Sequence, residues 1–195
     1  MHSKTSSRIL PAVGAAVLAL GLGFGVSNTT PSFAQDTMMV GGAPMYPNKN
    51  IIENAVNSKD HTTLVAAVKA AGLVDTLSGK GPFTVFAPTN AAFAKLPAGT
   101  VESLLKPENK DKLVKILTSH VVAANAMASA ISKMIEDDKG MHPVTTVSGA
   151  KLIAKAKDGM ITLTDENGGV ATVTIADVKQ SNGVIHVIDS VLLPK

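Results

Sequence analysis

The sequence predicts a single α+β domain, because helical patterns fill its first half and strand patterns fill its second. Apolar residues recur at helical spacing most clearly in segments 51–56 and 107–117. Beyond Gly140, short apolar or alternating runs are separated by the turn pairs at 158–159 and 182–183. The chain contains no cysteine, but a domain of this size buries enough surface to fold without disulfides.

The N-terminal segment 1–34 has the features of a secretory signal peptide. A short positive stretch precedes the apolar residues 9–26, and the small residues of Ser32-Phe33-Ala34 fit the specificity of signal peptidase. The alternative is an anchor that stays in the membrane, but the apolar stretch is short and broken by proline and glycine. We therefore expect cleavage before Gln35 and a secreted or periplasmic protein that is not embedded in a membrane.

Composition excludes several classes of function. Loss of Lys4 and Arg8 with the signal leaves 16 basic and 15 acidic residues, a net charge of +1. Arg8 is the only arginine, and the chain has no tryptophan. A nucleic-acid binder would carry a basic stripe interleaved with aromatic rings, so no nucleic-acid partner is expected. Without cysteine, thiol redox chemistry is also excluded.

Segment 35–47 is interpreted as a leader, because it contains a glycine pair and two prolines and has no helical period. The folded domain is then assigned to 48–195. Within it, the apolar run 83–87 ends at a proline and predicts a buried strand. Segment 184–193 is apolar on both faces, which predicts a strand in the centre of the sheet.

Two further elements are predicted around these strands. Runs 152–156 and 161–164, joined by an Asp-Gly turn, predict a β-hairpin. Residues 124–135 predict a helix with a regular apolar stripe. This stripe, which contains two methionines, is interpreted as core packing; its members are Met127, Ile131, Met134 and Ile135.

Two segments carry a resemblance to a known family. Residues 82–96, PFTVFAPTNAAFAKL, and residues 182–194, NGVIHVIDSVLLP, resemble the two signature boxes of the fasciclin-domain family. The boxes occur in the family's order and at its separation, and the likeness extends over 48–195. The resemblance implies a compact wedge or sandwich of β-strands with helices packed around it.

The resemblance also implies a non-catalytic adhesion or interaction module that binds a cell-surface or matrix protein or a polysaccharide. In animal members, an Asp-aliphatic pair before the second box and a Tyr-His pair after the long helix are linked to receptor binding. The first pair corresponds here to Asp177-Val178, and the second corresponds to Ser119-His120, where serine replaces the ring. Asp177, Val178 and His120 are therefore the candidate partner contacts. An alternative for Asp177 is that its carboxylate only satisfies backbone N–H groups.

We expect no catalytic, cofactor-binding or metal-binding residues. Neighbouring residues on a strand point to opposite faces, so neither Ser119-His120 nor Asp189-Ser190 forms its own catalytic dyad. The histidines lack metal-site spacing, and His186 is expected to be a hydrogen-bonded core residue. The acidic segment 165–169 favours a solvated turn over a calcium loop.

A second class of function stays open, a secreted carrier for a small ligand or a metal ion. The leader contains soft thioether donors that suit copper, although donors in an irregular segment are a weak basis for a site. The residues concerned are Met38, Met39, Met45 and Tyr46.

Overall fold

A computed structural model of the protein describes residues 37–195. The predicted signal peptide and its cleavage site lie outside the described residues. Within 37–195, helices precede and surround a large sheet, which confirms the predicted α+β class. The helices are α1 (Ile51–Ala55), α2 (Thr62–Ala71), α3 (Val74–Ser78), α4 (Asn90–Ala94), α5 (Thr100–Leu104), α6 (Lys110–Thr118) and α7 (Ala128–Asp137).

The strands form a small hairpin and a seven-stranded sheet. They are β1 (Met38–Val40), β2 (Ala43–Met45), β3 (Phe83–Pro88), β4 (Val121–Val122), β5 (His142–Thr145), β6 (Lys151–Lys157), β7 (Met160–Thr164), β8 (Val170–Gln180) and β9 (Gly183–Ile188). The large sheet has the order β4-β3-β9-β8-β7-β6-β5, in which only β3 and β9 pair in parallel. A backbone hydrogen bond of 2.7 Å from Val147 to Val121 brings its two ends together, so the sheet is nearly closed.

The central strands β3 and β9 are buried on both faces, as their apolar sequences predict. Val85 and Val187 face a core shared with the helices α1, α2 and α6. Phe86 and Ile188 face a second core between β6, β7, β8 and α7. The prediction of a longer central strand was wrong beyond Ile188, because the last residues leave the sheet.

The predicted hairpin in the second half is confirmed. Strands β6 and β7 pair with Lys157 opposite Met160. Asp158 and Gly159 both have positive φ, at 52° and 76°, which is the geometry of the favoured two-residue turn.

The described part of the predicted leader forms the β1–β2 hairpin, which the sequence analysis did not anticipate. Gly41 and Gly42 occupy its turn with φ of 58° and 75°. Val40 and Met45 are each 3% exposed and belong to the core shared with the helices. The packed structure therefore begins before residue 48.

Helix α7 begins at Ala128, so the prediction of a helix from residue 124 was wrong at its start. The buried Thr84 hydroxyl donates to the Ala124 carbonyl (2.6 Å) and accepts from the Ala126 N–H (2.8 Å). These bonds hold the preceding segment out of helical geometry. Across residues 37–195, no helix combines the length and apolar character needed to cross a bilayer.

Candidate functional site

Asp177 lies where β8 departs from regular pairing with β9. The register shifts on either side of Ile175, and Asp177 has a φ of 59°, a left-handed conformation that aspartate and asparagine tolerate better than most residues. Its Oδ1 accepts the Ala128 N–H at 2.6 Å, and its own N–H donates to Nδ1 of His186 at 3.2 Å. Asp177 thus joins β8 to the first turn of α7 and to β9.

The carboxylate of Asp177 supplies a missing N-terminal cap from a distant part of the chain. Met127, at the cap position of α7, makes no side-chain capping bond. The first N–H groups of a helix have no partner within it and carry partial positive charge, so a carboxylate there is stabilising. The alternative role for Asp177, satisfaction of backbone N–H groups, is therefore present in this structure.

Val178, the second member of the candidate pair, lies in the core. Its side chain is 1% exposed and packs in the same core as Ile185 and Val187. A partner at the surface has no access to this side chain. Of the pair, only the half-buried Asp177 reaches the surface.

His120 is also buried, with 2% of its surface exposed. Its Nδ1–H donates to the Ile116 carbonyl (2.8 Å), and Nε2 accepts the Leu192 N–H (2.9 Å). Burial lowers the pKa of His120 to about 4, against the opposing effects of the Ile116 carbonyl and Asp165. The imidazole is therefore a neutral link between the end of α6 and the C-terminal segment, and its burial removes it from direct surface contact.

Ser119, which occupies the position of the family's tyrosine, does not replace the missing ring. It is 1% exposed, and its hydroxyl donates to the Lys115 carbonyl at 2.7 Å. Its Oγ also lies 2.9 Å from Oγ of Ser148. Ser119 and His120 make separate bonds to the backbone of α6, so the pair forms no catalytic dyad.

A groove of about 290 Å³ opens beside Asp177. It joins the β1–β2 hairpin, the approach to α7 and the bulged part of β8. Among the described residues, the Asp177 hydrogen bonds and ion pairs leave Oδ2 unused. The groove is lined by Thr37, Met38, Met45, Met127, Asp177, Val178 and Lys179.

Sequence reasoning missed the part that Met127 takes in this groove. Of the predicted apolar stripe, Ile131 and Ile135 are in the core, whereas Met127 and Met134 are only half-buried. The helix starts after Met127, so the stripe does not extend to this residue. The only sequence signal was a methionine immediately before the true start of the helix.

Two other predictions concern polar residues outside the groove. His186 is confirmed as a hydrogen-bonded core histidine: it is fully buried, stacks on Phe86 at 5.7 Å and lies 2.8 Å from the Ala126 carbonyl. The prediction of a solvated turn at 165–169 was wrong for Asp165, because this residue is buried and only 7% exposed. Its carboxylate accepts backbone N–H groups from Asn167, Gly169 and Leu193 and so anchors the C-terminal segment.

A small cavity of about 40 Å³ lies between the helices and the sheet. Its lining is apolar apart from His61, His120 and Lys69. Nε2 of His61 is buried there and has no hydrogen-bond partner among the described residues. Burial lowers the pKa of this imidazole; the Ala87 carbonyl opposes the shift but lies outside hydrogen-bond geometry. Residues 37–195 contain no group of three His, Asp or Glu side chains placed to hold a metal ion.

The nearly closed sheet, its surrounding helices and the two boxes on β3 and β9 define a fasciclin-type domain. The sequence model of the fasciclin domain matches residues 59–194. The chain belongs to the fasciclin-domain family, which confirms the resemblance and the single-domain fold.

Relatives of this chain include bacterial surface proteins. It is 47% identical to Protein sll1483 of Synechocystis sp. over 191 residues, which cover 98% of both chains. It is 39% identical to the cell surface glycolipoprotein MPB83 of Mycobacterium bovis, over 72% of this chain and 58% of that protein. The structure also matches a solved FAS1 domain pair from the insect cell adhesion molecule fasciclin I, with a TM-score of 0.66 and 20% identity. The match covers 76% of this chain and 52% of the fasciclin I chain. The last match shows the shared fold.

Fasciclin domains occur in cell-adhesion and surface proteins, and the family is generally one of interaction domains rather than enzymes. At the level of the family, the chain is therefore an interaction-type domain; surface location and cell adhesion are named for MPB83 and fasciclin I.

Proposed function

We propose that this protein is an exported, non-catalytic adhesion module that binds a cell-surface or matrix partner. The observation that carries the proposal is the fasciclin domain, which occupies residues 59–194. Fasciclin I is named as a cell adhesion molecule, and MPB83 is named as a cell surface protein. Both names support the proposal of an adhesion module.

The proposed contact surface is the groove beside Asp177. Asp177 is the one candidate residue whose side chain reaches solvent, and its Oδ2 is not used by the described residues. Val178 supports this surface from the core by anchoring β8, whereas His120 holds the C-terminal segment, which does not line the groove. Surface loops and bulges held by a rigid scaffold are common places for recognition.

A protein partner fits this groove better than a polysaccharide. The walls are formed largely by methionine side chains, which adapt to apolar partner side chains. The free carboxylate oxygen then suits a lysine or arginine next to such an apolar residue. Among the described residues, no aromatic ring lines the groove to stack on a sugar.

Substitution of Asp177 separates a contact role from a capping role. Asp177→Ala loses the cap and puts alanine in a left-handed conformation, so we expect a loss of about 1–3 kcal/mol in the free energy of unfolding. Asp177→Asn keeps an acceptor oxygen and a tolerated φ but removes the charge. We expect its stability to stay within about 0.5 kcal/mol of the wild type, while attachment to cell surfaces weakens about tenfold.

Asp158→Asn is the matched control, since Asp158 is exposed and also has a positive φ. Thermal unfolding and a cell-attachment isotherm on all three variants provide the comparison. Undiminished attachment of a stably folded Asp177→Asn protein would show that the carboxylate only caps α7.

We also propose that the exported protein begins at Gln35. Ser32 and Ala34 satisfy the small-residue requirement of signal peptidase, and the preceding apolar segment is too broken to remain as an anchor. N-terminal sequencing of the exported protein should give Gln35 as its first residue. An intact Met1 terminus in the membrane fraction would refute cleavage.

A further inference from the structure

The groove beside Asp177 contains three methionines, two from the β1–β2 hairpin and one from the approach to α7. Met38 and Met45 are direct partners across the β1–β2 hairpin, so their side chains leave the same face of it. Met127 lines the same groove from the approach to α7. Met39 alternates with Met38 along β1, belongs to the opposite face and is 61% exposed.

The carboxylate of Asp177 is held next to these thioethers. Its bond to the Ala128 N–H fixes it beside Met127, the preceding residue. Only Oδ1 is used in that bond, so Oδ2 has no hydrogen-bond partner among the described residues, and Asp177 lines the groove. Within residues 37–195, Lys179 is the other charged residue that lines the groove, and it is exposed.

From this arrangement we propose that the groove is a binding site for a soft monovalent cation, Cu(I), with Met38, Met45, Met127 and Asp177 as its donors. Thioethers are soft ligands that select Cu(I) over hard divalent ions. Three neutral sulfurs and one carboxylate carry a single negative charge, which matches a monovalent cation. Met45, at 3% exposure, forms the floor of the site, while Met38 and Met127 are accessible from solvent.

This site goes beyond the proposed adhesion. Metal binding by these methionines can be distinguished from a purely apolar packing role. Packing requires only the volume of the side chain, whereas metal binding requires its sulfur. Leucine preserves most of the apolar volume of methionine and lacks the thioether. Met→Leu variants therefore remove the donors with little disturbance of the fold.

Ag(I), a redox-inert soft cation, is the probe for this test. The purified protein with ¹³C-methyl-labelled methionine is titrated with silver nitrate in chloride-free buffer. We expect the methyl signals of Met38, Met45 and Met127 to shift together and to saturate at one equivalent. The signals of Met39, Met141 and Met160, all exposed, should not move in that range.

Met38→Leu and Met127→Leu should each weaken Ag(I) binding by about tenfold or more, since loss of even an outer partner has that effect at metal sites. Met39→Leu, on the opposite face of the same hairpin, should bind as the wild type does. Equal affinity in the Met38→Leu/Met127→Leu double variant and in the wild type would overturn the proposal, as would shifts spread over all exposed methionines. The titration needs no adhesion partner, so its outcome is independent of the attachment assay.

Discussion

Replacing Phe86 with alanine is expected to lower the free energy of unfolding by about 3–5 kcal/mol. Phe86 is 1% exposed, lies in the central strand β3 and packs in the core between α7 and strands β6 to β8. Its ring also stacks on His186, which hydrogen-bonds in turn to Asp177 and Ala126. Removal of the ring leaves a cavity and a less supported imidazole. Such a loss is a large share of the stability of an ordinary domain.

Urea unfolding of Phe86→Ala and of a surface control measures this effect. Val170→Ala is suitable as the control, because Val170 is 55% exposed at the start of β8 and should change stability by no more than about 0.5 kcal/mol. A fall of only a degree or two in the melting temperature of Phe86→Ala would contradict the core position of the ring.

Acidification is expected to produce the second large effect, through His120. Burial lowers its pKa to about 4 in the folded protein from 6.5 in the unfolded chain. Below pH 6.5 the His120 imidazole therefore binds a proton in the unfolded chain but stays neutral in the folded protein. The free energy of unfolding consequently falls as the pH falls toward 4. For His120 alone, the loss between pH 7 and pH 4.5 is about 2.5 kcal/mol.

Other buried histidines act in the same direction. Burial also lowers the pKa values of His186 and His61, so they add to the loss over the same range. Urea unfolding at pH 7.0, 5.5 and 4.5 measures the slope. His120→Gln removes the buried imidazole and should flatten this slope relative to the wild type. A stability that is constant from pH 7 to 4.5 would show that these imidazoles are open to protons.

Local sequence patterns were sufficient for β3, for the presence of β9 but not its end, and for the β6–β7 hairpin. Phe86 and Ala87 are followed by Pro88, and Asp158-Gly159 supplies a two-residue turn, so nearby residues determine these elements. The resemblance of two segments to the fasciclin signature boxes predicted the overall architecture. The parallel pairing of β3 with β9 depends on residues about 100 positions apart, and no local pattern predicts it.

The features that sequence reasoning missed depend on contacts between distant residues. Thr84 prevents an earlier start of α7 from 40 residues away, and Asp177 caps that helix from 49 residues away. Asn54 fixes the end of the β1–β2 hairpin by bonding both the N–H and the carbonyl of Tyr46. Because the hairpin is short and rich in glycine, only this packing reveals it as part of the fold.

The candidate site was likewise predictable from the sequence only in part. The resemblance indicated Asp177-Val178, and the alternation along a strand means that such a pair contributes one residue to the surface and one to the core. The bulge in β8 and the start of α7 determine which residue of the pair is exposed. The same features account for the position of Met38 and Met127 beside it. These are properties of the assembled fold.

The measurement that tests the central proposal most directly is a binding isotherm of the purified protein on cells and shed matrix of the producing organism. We expect saturable binding that is lost after protease treatment of the surface, is retained after glycosidase treatment, and is weakened by Asp177→Asn but not by Asp158→Asn. Loss after glycosidase alone would identify a polysaccharide partner instead. Binding that does not saturate, or that is indistinguishable from that of an unrelated protein of equal charge, would contradict adhesion as the function.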